Sequence, residues 1–142
     1  PSDRNEKQDI AELSDAEQRV AVACKGLLRK FRWKDSVAEK GDAARIHFGI
    51  IAQDLQVAFA AQGLDAGDYA MFISSTWWET QTEVDAVEAV EATEDTEAVE
   101  AADAYTRTDM FYTLAEAPTV ATERTRLGVR YPELLAFIIS AI

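Results

Sequence analysis

"YPELLAFIISAI", residues 131–142, carries a single charge, Glu133. Tyr131, Leu134, Leu135, Ile138, Ile139 and Ile142 recur at steps of 3, 1, 3, 1 and 3. On a helix of 3.6 residues per turn that spacing draws one apolar stripe, and Phe137 and Ala141 widen it. Pro132 suits the first helical turn, where its missing N–H donor costs little. The spacing therefore predicts a helix over 131–142. Its stripe must be covered, either by a sheet of its own domain or at an axis between subunits, and the stripe alone does not choose between them.

Upstream, "DYAMFISSTWWETQTEV" at 68–84 is rich in aromatic and β-branched residues and reads as strand. Residues 105–130 are mixed and are expected to include a return strand. Between them, 84–104 parse as seven triplets, VDA, VEA, VEA, TED, TEA, VEA and ADA, with eight acids and no base. A period of three fits neither a helix nor a flat strand. On a helix each triplet drifts by about 60°, since each residue advances roughly 100°, so no apolar seam forms. The expectation is a solvated low-complexity arm, partly helical, at the tip of a long hairpin made by its flanks. The functional alternative is an acidic surface that contacts or shields a partner.

The first half alternates short elements. "SDAE" at 14–17 fits a capping box, with Ser14 and Glu17 reciprocally bonded. A helix of about three turns follows, with Val20, Cys24 and Leu27 or Leu28 inward and Gly26 near its end. "LRKFRWK" at 28–34 sets Phe31 and Trp33 against Lys30, Arg32 and Lys34, the pattern of a half-buried strand. A short helix ending at Gly41 is expected within 35–43. A strand over 44–51 and a helix over 52–63, stopped by Gly63, follow. Together these predict an α+β fold: a small mixed domain of short strands and helices, a long β-hairpin or arm insertion and a C-terminal helix.

The chain has 142 residues, enough for one domain and a real core. Its net charge of −12 disfavours nucleic acid and anionic membrane as partners. No apolar run approaches the ~18 residues of a membrane helix. The only cysteine, Cys24, permits no intrachain disulfide and is expected as a buried thiol. One histidine and one cysteine make no zinc set, and no phosphate-binding glycine loop or dinucleotide fingerprint occurs, so neither metal nor cofactor is expected.

The start, "PSDRNEK", reads as the interior of a longer chain. Ser2 is a weak nucleophile until a base takes its proton. Lys7 can be that base in the manner of Ser–Lys sites, provided burial penalises its ammonium. Asp3 and Glu6 would oppose this. Five residues span roughly 16–17 Å when extended, and lie about 140° apart on a helix. Either residues 3–6 turn sharply, or Ser2 meets a base from a neighbouring chain. The plain alternative is that Ser2 and Asp3 are turn formers beside a solvated lysine.

Four separated blocks, "SDRNEK" at 2–7, "FRWK" at 31–34, "HFGIIAQDL" at 47–55 and "RYPELLAFIISAI" at 130–142, resemble the C-terminal intramolecular chaperone domain of phage tail spikes, tail fibres and endosialidases. They lie in family order and span nearly the whole chain, while 76–125 matches poorly and looks like a variable insertion. The resemblance implies a homotrimer that registers three copies of an upstream fibre or spike of the same polypeptide. It also implies autocatalytic serine endopeptidase activity, a single cut at the domain's own N-terminal edge, in the host bacterial cytoplasm during virion assembly. The family's cleavage motif is a serine followed by aspartate, with lysine five places on, and Ser2, Asp3 and Lys7 match it. The common arginine three places after the serine is replaced by Asn5, with Arg4 one earlier. His47 and Gln53 match the third block. His47 is a candidate to orient the site or polarise the carbonyl, with a core hydrogen-bonding role as its plain alternative, and Gln53 a candidate to fix backbone. Cleavage just before or just after Ser2 remains open, the former through an N-to-O acyl shift. The runner-up reading is a trimerisation or tip module that never cuts.

Overall fold

The computed structural model describes all 142 residues. In chain order it has helix α1 (Asp15–Cys24), strand β1 (Leu28–Phe31), α2 (Lys34–Lys40), β2 (His47–Ile50), α3 (Ala52–Ala61), β3 (Phe72–Val84), β4 (Tyr105–Phe111), β5 (Thr122–Val129) and α4 (Tyr131–Ile139), with 3-10 turns at Arg4–Glu6, Gly41–Ala43 and Ala66–Asp68. The fold is mixed α+β with two small sheets. Two compact units form, one from Pro1–Ser74 with Leu127–Ile142, the other from Ser75–Arg126.

The first unit is built around three helices. Ser14 Oγ accepts from the Glu17 N–H at 3.1 Å, while Glu17 Oε1 accepts from the Ser14 N–H at 2.7 Å, so the capping box forms. Below it, α1 buries Val20, Ala21 and Cys24. Leu55 and Phe59 of α3 and Leu134 of α4 complete the core with Met71 and Phe72. The Phe59 ring stacks on Tyr69 at 4.6 Å and on Phe137 at 6.0 Å. Tyr69 Oη in turn donates to Glu17 Oε2 at 2.7 Å, tying the start of α1 to the aromatic stack. Cys24 is the buried free thiol expected, and its desolvation pushes the thiol up from its ordinary value.

Helix α4 divides its stripe. Leu134 is fully buried, and Phe137 and Ile138 pack on a core that joins α1 and α3 with strand residues Ile50 and Phe72. Leu135, Ile139 and Ile142 remain exposed, Ile142 at 91%. Lys25 Nζ donates to Ala141 O at 2.9 Å, placing a cation where the carbonyls at a helix C-terminus attract one.

Strands β1 and β2 pair antiparallel from Leu28↔Ile50 to Phe31↔His47. Strand β1 ends at Phe31, three residues short of the expected stretch, because the carbonyl of Trp33 accepts the first bond of α2, from the Val37 N–H at 3.0 Å. Gly41 and Gly63, at φ of 56° and 72°, follow α2 and α3, in the left-handed region that glycine enters without Cβ strain. The expected strand from 68 begins only at Phe72. Asp65 accepts from the Gly67 N–H at 2.8 Å and folds 66–68 into a 3-10 turn that buries Ala66.

In the second unit β3 is the central strand, in the order β4-β3-β5. It pairs with β4 from Trp78↔Phe111 to Val84↔Tyr105. The same register runs on through the acidic segment, with bridges Val87↔Ala102 and Val90↔Val99 and a final bond from Thr93 N–H to Thr96 O at 2.9 Å. The arm is thus an extended, paired hairpin tip and contains no helix. The triplet period explains why. From Val87 to Thr93 the first residue of a triplet meets the first residue of a triplet on the other strand, and counting that register on sets six of the eight acids across from alanines, among them Asp85 from Ala104, Glu88 from Ala101 and Glu91 from Ala98, while Glu94 and Asp95 form the tip. Slipping one strand by a residue would set Asp85 against Asp103, Glu88 against Glu100 and Glu91 against Glu97, and like charges directly opposite destabilise a strand pair. Within this unit Arg126 lies over the Trp77 ring at 5.1 Å, and Glu79 accepts from Trp77 Nε1–H at 2.8 Å.

Two outcomes follow from this packing. Phe59→Ala removes the shared ring of the stack and should cost about 3–5 kcal/mol in urea unfolding. The Glu17 carboxyl is held below its ordinary 4.5 by the Ser14 N–H first and the Tyr69 hydroxyl second. A carboxyl whose folded value is depressed contributes its stability above the unfolded value and loses it as pH falls through the folded one. Glu17→Gln should therefore lower stability at neutral pH and flatten its decline below about pH 4.5, read as denaturation midpoint against pH.

Candidate functional site

The N-terminal motif is organised by its aspartate. Asp3 Oδ1 accepts from the Asn5 N–H at 2.9 Å, and its carbonyl accepts from the Glu6 N–H at 3.0 Å. The Lys7 N–H then closes onto Arg4 O at 3.2 Å. This single 3-10 turn folds the chain back, and Lys7 Nζ comes to 3.5 Å from Ser2 Oγ within one chain. Residues 3–6 thus make the sharp turn that an approach of these two side chains within one chain requires. The contact is at the long limit of a hydrogen bond. Asp3 spends a side-chain oxygen on backbone, which makes it the turn-former of the motif. Ser2 and Lys7 are both exposed.

His47 lies elsewhere in the first unit's contact pattern. Its ring stacks on Phe31 at 5.7 Å and tilts against Trp33 at 5.9 Å, and those two aromatics meet edge to face at 5.0 Å. It is exposed, so it is no core hydrogen-bonder, and no hydrogen bond joins it to Ser2 or Lys7. The structure brings Ser2, Asp3 and Lys7 together and sets His47 in an aromatic cluster.

That cluster borders a cleft of about 910 Å³. Phe31 and Trp33 form one side; Ile50, Ile51 and Gln53 come from the β2–α3 junction; Leu127, Val129 and Tyr131 come from the end of β5 and the start of α4. Arg32 and Lys34 stand at its edge, with Asp35 as its one acid. Gln53 thus faces a largely apolar space. Tyr131 Oη accepts from the Ile50 N–H at 3.1 Å, and the ring fits because residue 49 is glycine; a Cβ there would collide with the Tyr131 hydroxyl and press on Phe31. Sequence reading missed this cleft, whose walls come from three distant segments. The available signal was Trp33, a large aromatic flanked by Arg32 and Lys34.

Residues 2–64, which contain Ser2, Lys7, His47 and Gln53, match the family described as "Chaperone of endosialidase". A probable tail spike protein of Klebsiella phage 0507-KN2-1 is 42% identical over 87 residues, which is 61% of this chain and 7% of that protein. The chain thus corresponds to a small part of that relative's length. Two solved structures share the fold over 99% of this chain. One is the carboxy-terminal domain of the bacteriophage T5 L-shaped tail fibre with its intramolecular chaperone domain, at a TM-score of 0.64 and 21% identity, covering 28% of that chain. The other is described as a novel intramolecular chaperone, at a TM-score of 0.55 and 26% identity, covering 93% of that chain.

The Gly49–Tyr131 fit is open to a direct check. Gly49→Ala should displace the Tyr131 ring and leave the Ile50 N–H without its acceptor. The expected loss is about 1–3 kcal/mol, measured by chemical denaturation, with near-ultraviolet dichroism reporting the moved aromatics.

Proposed function

We propose that this chain, whose residues 2–64 carry the chaperone-of-endosialidase match, is an intramolecular chaperone that assembles as a trimer, guides folding of an upstream phage tail fibre or spike, and then cuts itself free at Ser2. The observation that carries the reading is the approach of Lys7 Nζ to Ser2 Oγ, at 3.5 Å inside the matched segment.

The trimer is supported by the outer face of α4. Leu135 and Ile139, four residues apart on α4, leave one exposed apolar face, which Ile142 extends just past the helix end. Three such faces around an axis would cover the apolar side chains that one chain leaves in water. Assembly through this domain raises the effective concentration of the attached chains. It also sets their register before slow, non-local β pairing begins.

The cut follows from ring size. Ser2 Oγ attacking its own carbonyl would close a strained four-membered ring, whereas attack on the carbonyl carbon of Pro1 closes a five-membered one. Lys7 Nζ, neutral, takes the hydroxyl proton as the Oγ–C bond forms. The C–N bond between Pro1 and Ser2 then breaks, its nitrogen leaving as an amine with that proton. Water hydrolyses the resulting ester, giving a carboxylate on Pro1 and restoring the Ser2 hydroxyl. A lysine acts as base when it is desolvated. Lys7 is exposed in the single chain, so that cover must come from neighbouring copies or the folded fibre, and assembly would license the cut. Once severed, the fibre keeps its form by slow unfolding, without the domain that helped it fold. His47 enters this reading as an orienting group for the assembled site.

The test uses a longer chain with several residues before Pro1, followed by intact mass. Wild type should yield two pieces, the second starting at Ser2; Ser2→Ala should stay whole, and Lys7→Ala should cut slower by about a hundredfold or more. Trimers co-assembled from Ser2→Ala and Lys7→Ala chains should not cut, because the pair acts within one chain. Cleavage in those mixtures would move the base to a neighbour. A wild-type chain that folds, trimerises and stays whole would leave only the non-cleaving trimerisation module.

A further inference from the structure

The chain separates its charges. Four of its fourteen cations, Arg29, Lys30, Arg32 and Lys34, fall within residues 28–34, while residues 84–104 hold eight acids and no base. Both segments also leave apolar groups in water. Trp33 is 57% exposed at the mouth of the cleft, and Val87, Val90 and Val99 of the arm are about half exposed. A single chain therefore presents an acidic arm and a cleft whose lining carries Arg32 and Lys34 against one acid, Asp35, each with an apolar centre.

We propose that the acidic arm of one copy docks along the aromatic cleft of a second copy. This rests on the trimeric reading above and gives the assembly a second contact besides α4. The fit is one of kind as well as sign. The cleft is walled by Phe31, Trp33, Ile51 and Leu127, with Arg32 and Lys34 at its edge. On the arm, register places valines and threonines in the paired row and the acids between them, Glu88 and Glu91 flanking Val90. Val90 enters beside Trp33, while Glu88 and Glu91 meet Arg32 and Lys34. Buried aromatic anchors inside a polar rim are the usual anatomy of a protein interface. The opposed charges speed encounter and fix direction more than they add affinity. A hairpin whose acids avoid each other across the strands stays extended without neutralisation, so its carboxylates remain available to a partner's cations. The arm then links neighbouring copies, a role for a segment that matches the family poorly.

The test is interchain disulfide trapping in the 1–142 chain. Ser36→Cys chains, altered at the cleft wall, are co-expressed with Val90→Cys chains and mildly oxidised; Cys24 is buried and serves as the silent background. A two-chain band should form from the mixture and from neither variant alone. Arg32→Glu with Lys34→Glu in the Ser36→Cys chain should reduce it about tenfold or more, as should salt of about 1 M, where the screening length is about 3 Å. Adding Glu88→Lys with Glu91→Lys to the Val90→Cys chain should restore it, which a misfolded variant would not allow. A trimer by sedimentation that gives no such band, or a band indifferent to both charge reversal and salt, overturns the docking and leaves the assembly reading intact. An intrachain disulfide in dilute chains carrying both cysteines also overturns it, by placing the arm in its own cleft. A monomeric chain overturns both readings.

Discussion

Burial of Phe59 between Tyr69 and Phe137 is the constraint on which the rest of the first unit turns. Phe59 belongs to the first half of the chain and Phe137 to its last helix, so the core closes only when the C-terminal segment returns to α1 and α3. Leu134 completes that closure. Everything between Ser75 and Arg126 must therefore leave and come back, and an antiparallel hairpin is the simplest path that does so with its backbone bonds satisfied. None of the core residues lies within that insertion. This accounts for a segment as biased as 84–104 in an otherwise ordinary small fold.

The candidate site sits at the surface, away from such packing. Ser2, Asp3 and Lys7 are on a surface turn closed by two backbone bonds and one bond to the Asp3 carboxylate, and none of the residues of that turn is buried. The bonds that close this turn all lie within residues 3–7. On the proposed reading its activation is a separate matter, because desolvation of Lys7 would have to come from other copies or the fibre. Division of the site into a preformed pair and a supplied cover would prevent the domain from detaching before its work is finished.

Local periodicity made part of this legible. The capping box of Ser14 and Glu17, the stop at Gly63 and the stripe of α4 are each written within a few residues, and each formed. The pairing of β3 with β4 was also readable, as two β-rich flanks around one polar segment. Misreadings came where a neighbouring element competed. Trp33 continues the alternation of Phe31, but its carbonyl is taken by α2, and Asp65 draws 66–68 into a turn before β3 starts. The acidic triplets suit neither regular period taken alone, and make sense only against a second strand in the same register. The Ser2–Lys7 approach depended on Asp3 choosing to cap its own turn. The cleft required three segments that no linear pattern connects, and His47, expected as a core or site residue, went to an aromatic surface cluster.

The central claim is that assembly, acting on a pair already in place, switches on the cut. Its most direct test is the rate of cleavage of fibre-bearing chains as total concentration is varied, with sedimentation measured on the same samples. The account predicts a lag that shortens as concentration rises and uncut chains wherever the species is monomeric. Cleavage at one rate across monomeric and trimeric samples would contradict it.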